Sequence, residues 1–329
     1  MLDERKTAIL QAVVEEYIHT AEPVGSTHVA AAAGINVSSA TIRNEMVQLE
    51  QQGYLHQPHT SAGRVPTDKG YRVFVDGITG AGALSRSESR TVKSFFDQAH
   101  GELEAMLHDT SRLLADLTSY TSVVVAPSID EAEVRSVQLV PLSGHVVLVV
   151  IVLSSGAIEK RTIEVADEPD DDTVTRAHQV LSEALIGHTL GSVHIDGGRA
   201  ASVRDMVAAV ARALEPEPDD HVYVGGVAHM AESFDAVEQV REVLDILEKQ
   251  LVVVTLLRDV LDRGLHVAIG NETGMTTLAD CALVVAPYEA EGRTSGTIGV
   301  LGPARMNYPQ ALAAVTVVSN QLGNRLTEG

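Results

Sequence analysis

The sequence predicts an α+β chain of several domains that opens with a winged helix-turn-helix. Three observations carry this. At 329 residues the chain is long enough for two or three domains. Helical periodicity and strand-like alternation occupy separate stretches, which is the α+β pattern. Residues 26–66, STHVAAAAGINVSSATIRNEMVQLEQQGYLHQPHTSAGRVP, read as two short helices followed by a polar hairpin.

The first helix is predicted over Asp3–Thr20, where Ile9, Leu10, Val13, Val14, Tyr17 and Ile18 recur at helical spacing. Pro23 and Gly25 interrupt it, and Ser26 is placed to cap a second helix, Ser26–Ala33, with Gly34 as its exit. Ser38 or Ser39 caps a third helix to about Gln52, and Gly53 ends it. Tyr54–Gln57 and Arg64–Val65 read as short strands around the loop Pro58–Gly63, and a helix is expected at Asp68–Asp76. The Gly-rich segment 77–82 marks the first domain boundary.

Beyond it, Ser85–Thr118 predicts one long amphipathic helical stretch. Strands are predicted at Ser122–Val125, Val134–Pro141, His145–Leu153 and Ile158–Val165, the middle pair forming a hairpin through Leu142-Ser143-Gly144. Two acidic connectors, 167–172 and 215–220, flank helices at Thr173–Ile186 and Val203–Leu214. A helix over Val237–Asp262, strands at His266–Ile269, Ala282–Ala286 and Thr297–Leu301, and a helix over Pro309–Leu326 complete the chain. The strands thus form two blocks separated by a mainly helical block, either as three sequential domains or with the middle block inserted into one α/β domain.

Composition excludes several classes. The longest apolar run, Val146–Leu153, is of strand length and too short to span a membrane. The N-terminus lacks the form of a signal peptide, and Cys281 is the sole cysteine, so neither an internal disulfide nor a multi-cysteine zinc site is available. These features fit the cytoplasm. The scattered histidines show no metal-ligand spacing, and no nucleophile-elbow motif occurs, so no metal, cofactor or enzymatic activity is expected. The segment Gly296–Gly302 (GTIGVLG) lacks the Lys-Ser/Thr of a phosphate loop and reads as a packed strand and turn. The net charge is −21, with only six basic against nine acidic residues in 1–84. An acidic body repels a phosphate backbone at long range, but screening over about 10 Å lets a local site act.

That local site is the third helix and the hairpin. With Ile42 at the centre of the buried face, Met46 and Leu49 fall beside it. Ala40, Asn44, Val47 and Gln51 then point outward, with Thr41, Arg43 and Gln48 on the flanks and Glu45 the one acid nearby. Arg reads guanine bidentately and Asn or Gln reads adenine, so this face suits base readout in a major groove. Ser38 and Ser39 keep the helix entry small, where free N–H groups hold phosphate. His59, Thr60, Ser61 and Arg64 on the hairpin suit contacts to backbone or minor groove.

These same residues resemble the heat-inducible transcription repressor family, HrcA. The resemblance rests on Glu22–Ser26, Ser38–Met46, Gly53–Leu55, Gln57–Thr67 and Gly70-Tyr71. It extends to Ile269–Glu272, Gly296–Val300, Gly302-Pro303, Arg305-Met306 and Tyr308. It runs nearly end to end and is most specific in the first block. The family implies a winged-helix domain, here 1–84, a GAF-like domain, here 85–170 with 245–329, and an inserted dimerisation domain, here 171–244. It also implies a homodimer that represses chaperone operons at an inverted-repeat double-stranded operator of the CIRCE type, modulated by the chaperonin GroEL. The other reading is a winged-helix repressor that senses a small ligand through its GAF-like domain.

Overall fold

The computed structural model describes residues 2–31, 37–60, 62–78, 83–99, 102–127, 132–154, 156–189, 200–214, 221–230, 234, 237–290 and 292–328. The N-terminal helices are α1 (Glu4–Thr20), α2 (Ser26–Ala31), α3 (Ser39–Gln51) and α4 (Asp68–Asp76). Between α3 and α4, β1 (Leu55–His56) pairs with β2 (Val65–Pro66) as a minimal antiparallel wing. Asp3 caps α1 by accepting from the Lys6 N–H at 2.8 Å, and Ser38 caps α3 through the Thr41 N–H at 3.2 Å. The apolar stripes of α1 and α3 meet: Ile9, Leu10, Val13, Val14, Ile42 and Leu49 are fully buried in one cluster. The exit expected at Gly34 lies outside the described residues, as does most of the expected 77–82 boundary.

The body is a five-stranded antiparallel sheet of order β7-β3-β10-β9-β8, buried on both faces. Its strands are β3 (Thr121–Val125), β7 (Val222–Gly225), β8 (Val267–Ile269), β9 (Cys281–Ala290) and β10 (Arg293–Pro303). Side chains alternate between faces, as a period of two requires. Val124, Val267, Val284, Ile298 and Val300 pack toward the helices α5 (Arg86–Gln98), α6 (Leu103–Thr118) and the C-terminal α11 (Tyr308–Glu328). Val123, Ala268, Leu283, Val285 and Leu301 pack toward α9 (Val237–Leu247) and α10 (Gln250–Asp262). The glycine-rich stretch 296–302 lies inside β10, where Gly296 leaves room for Tyr288, whose hydroxyl donates to the Val125 carbonyl at 2.7 Å.

A separate core forms beside this sheet. Strands β4 (Val134–Ser143), β5 (Val146–Leu153) and β6 (Ile158–Glu164) make an antiparallel sheet of order β4-β5-β6. One face buries Val147, Val149, Ile151 and Leu153 against α7 (Asp171–Leu185) and α8 (Ala201–Ala213), through Leu181, Leu185, Met206 and Val210.

Four expectations are corrected. The division at 170/171 cuts through this second core, because β4–β6 are covered by α7 and α8 and not by the larger sheet. Conversely, β7 lies within 171–244 and α9 runs across the expected boundary at 244, yet both belong to the larger sheet and its core. The stretch 85–118 is two helices, because Ala99 is extended (ψ 94°) and its carbonyl accepts from the Arg325 guanidinium at 2.9 and 3.0 Å. The stretch 237–262 is also two helices, broken at Lys249 (ψ 82°), and β7 was not anticipated because four residues carry too little alternation.

Candidate nucleic-acid interface

The candidate reading surface is built on the outer face of α3. Its inner residues Ile42, Met46 and Leu49 anchor it, and Ser39, Arg43, Asn44 and Gln48 lie exposed on the opposite side, with Thr41 half-buried. Ser38 is exposed at the cap, its hydroxyl 3.0 Å from that of Thr41. Glu45 departs from expectation. It is 6% exposed and turned inward, where Arg5 Nη2 lies 2.6 Å away and Lys6 Nζ 4.0 Å away. The outer face of α3 therefore carries Arg43 without the neighbouring acid that the sequence placed there.

The wing follows. His59 and Thr60 are exposed at its tip, and Ser61 lies outside the described residues. The Gln57 amide spans the loop, donating to the Thr60 carbonyl at 3.1 Å and the Ala62 carbonyl at 2.8 Å. At its base Arg64 pairs its backbone with Val24 and its guanidinium with Glu50, Nε and Nη2 both 2.9 Å from Oε2. A Cβ at Gly63 would sit 2.4 Å from the Val24 carbonyl oxygen, so only glycine lets the wing lie this close to the turn before α2. Arg64 is thus a brace between α3, the wing and residues 23–24, rather than a cation extended at the tip.

Glu50 had no place in the sequence reading, Glu45 entered it as an acid near the outer face and Gln57 as a strand end and through the resemblance, and no local signal marks the bonds they make. Their partners lie 3 to 40 positions away across turns whose geometry the sequence leaves open.

The electrostatics of the head narrow further. Lys6 contacts Asp3 at 3.5 Å, Lys69 donates to the Gln52 carbonyl at 2.9 Å and sits over the Tyr54 ring, and Arg72 pairs with Glu272 and Asp76. With Arg5 and Arg64 held as above, Arg43 is the cation of the head without an acidic or carbonyl partner among the described residues. The remaining attraction for an anion is the N-terminus of α3, whose first amides point outward with the positive end of the helix dipole.

A cap-bearing second helix with a polar outer face, a braced two-stranded wing and a fixed body define a winged-helix transcription regulator. Comparison with known proteins narrows the class. Residues 104–312 match the family model for the HrcA protein C-terminal domain. A heat-inducible transcription repressor HrcA of Acidothermus cellulolyticus is 39% identical over the whole of both chains. That of Symbiobacterium thermophilum is 36% identical over 99% of this chain and all of its own. A crystal structure described as a hypothetical protein at 2.2 Å resolution superposes over 100% of this chain and 99% of its own, with a TM-score of 0.71 at 24% identity. The chain belongs to the heat-inducible transcription repressor family HrcA.

Proposed function

We propose that this chain is a dimeric, sequence-specific repressor of chaperone operons that binds an inverted-repeat operator of the CIRCE type. The observation that carries the reading is the outer face of α3, where Arg43 stands unneutralised beside Asn44 and Gln48. In this reading Thr41, Arg43, Asn44 and Gln48 meet base edges in the major groove. Ser38, Ser39 and the wing residues His59, Thr60 and Ser61 meet the sugar-phosphate backbone, with Arg64 holding the wing in place.

A dimer is supported by the second face of the small sheet. Val146, Leu148, Val150 and Val152 of β5 are only half-buried there, and Val140, Leu142 and Ile158 beside them are 40%, 55% and 42% exposed. An apolar stripe of this kind on a monomer marks an association surface. The unit that forms it, β4–β6 with α7 and α8, takes the dimerising role in this proposal in place of 171–244. The body then takes the GAF-like role, and family membership supports chaperonin as the modulator of repression.

Gel-shift titration of the full-length protein against its operator and a scrambled duplex tests the reading. Arg43→Ala is expected to cost about 1–3 kcal/mol on the operator and to relax preference at one base position. Equal retention of both duplexes by the wild-type protein sinks it. For modulation, heated repressor should regain operator affinity on addition of purified chaperonin, and an unchanged affinity excludes that part.

A further inference from the structure

The head does not hang from the body by its chain alone. Helix α4 starts directly after β2, and its cap residue Thr67 donates from Oγ1 to the Gly53 carbonyl at 2.7 Å, so α4 moves with α3 and the wing as one unit. The outer side of α4 meets the turn Ile269-Gly270-Asn271-Glu272 of the body. Arg72 donates through Nε to Glu272 Oε1 at 2.9 Å and through Nη2 to Glu272 Oε2 and, at 2.7 Å, to the Val267 carbonyl. Glu272 is itself oriented, accepting from the Ile269 N–H at 3.0 Å, and its carbonyl accepts from Arg263 Nη1 at 2.7 Å. Asp68 Oδ2 accepts from Asn271 Nδ2 at 3.2 Å. Gly270 holds φ +52°, and a Cβ there would fall 2.3 Å from the Asp68 carboxylate, so the turn is shaped around that carboxylate. Beneath these polar contacts, Tyr71 and Phe74 tilt against Tyr308, with ring centroids 6.0 and 6.5 Å apart.

Ring packing tolerates sliding and rotation. A bidentate guanidinium–carboxylate pair with both partners held elsewhere does not, because each bond is directional. We propose that the clamp between Asp68/Arg72 and the Gly270–Glu272 turn is a specificity device: it fixes the angle of each reading head on the body, and so sets the half-site spacing that a dimer accepts. This rests on the dimeric operator-binding reading above. Asp68, Arg72 and Glu272 act here as positioning residues that touch no DNA. Two heads held at a fixed angle engage two half-sites together only when these face the same side of the duplex, at whole turns of about 10–10.5 bp. Heads freed from the clamp reach misplaced half-sites as well.

The test uses full-length protein and the inverted repeat that the wild type selects from a random duplex library. The centre spacing is varied in single base pairs across one turn, and a duplex with one half-site serves as control. Inserting half a turn should cost the wild type roughly 100-fold, since simultaneous engagement is lost. In Arg72→Gln, and independently in Gly270→Ala, which displaces Asp68 without removing a charge, that penalty should fall below about tenfold. Affinity for the single half-site should stay within about twofold, which separates lost positioning from lost folding. Variants that keep the wild-type penalty overturn the inference, as does a wild type indifferent to spacing. A wild type that selects no repeat at all overturns the dimeric reading beneath it.

Discussion

At the scale of single residues, two charges with opposite fates decide how the head works. Arg43 and Arg64 look alike in sequence, each an arginine in a polar run, yet one is exposed and the other is clamped by Glu50 at 2.9 Å. Arg64→Ala and Glu50→Ala are therefore expected to weaken operator binding to a similar extent, by about 1 kcal/mol for a pair between surface and core. A large gap between the two in matched titrations would show that Arg64 meets DNA directly. Glu45 is a third case. Glu45→Gln removes the anion facing Arg5 and Lys6 under α3, with a stability loss of about 1 kcal/mol, discounted because Arg5 is 54% exposed. Thermal melting of the variant measures it. Cys281 is buried in the sheet, and burial together with Asp280 and Glu242 pushes its thiol up to about 12. Alkylation by iodoacetamide at pH 8 should be negligible in the folded protein and complete in denaturant.

Secondary-structure elements carry the next set of consequences. The wing has only two paired positions per strand, so its shape comes from side chains: the Gln57 amide, the Arg64 brace and the close approach at Gly63. Gly63→Ala should displace the wing and lower operator affinity at least about fivefold while leaving the helical signal in circular dichroism intact. Element identity was largely legible, because α1, α3 and α4 carry clear apolar stripes and caps, and β5 is an unbroken apolar run of strand length. What was not legible was which helix covers which strand. The apolar run of β5 is the same whether α6 or α7 packs on it, and only the assembled core shows that α7 and α8 do. The open face of β5 follows from that choice. Under the proposed dimer, Leu148→Glu with Val150→Glu should leave a folded monomer in sedimentation where the wild type sediments as a dimer, since both side chains are half-exposed.

For the whole molecule, charge and connection matter most. A chain of net charge −21 whose head offers Arg43 as its cation without an acidic or carbonyl partner among the described residues has little means of releasing counterions. The salt dependence of operator binding should accordingly be shallow, with log K against log salt sloping about −2 to −4 for a dimer, far from the −6 or steeper of strongly basic binders. In the proposed function affinity then rests on base contacts, on the helix N-terminus and on two heads acting together, with the acidic body suppressing stray association. A steep slope would point to cations elsewhere on the chain as phosphate contacts.

The sequence by itself determined the local elements of the head, its family and which face of α3 is exposed, because helical phase and capping act within a few residues and survive any packing. Tertiary structure alone decided that Glu45 turns inward, that Arg64 braces the wing, that β4–β6 leave the larger sheet, and that Asp68 and Arg72 grip a turn about 200 positions away. The physical reason is range. A charge or an apolar face is fixed by its residue, but its partner is fixed only when distant parts of the chain close around it.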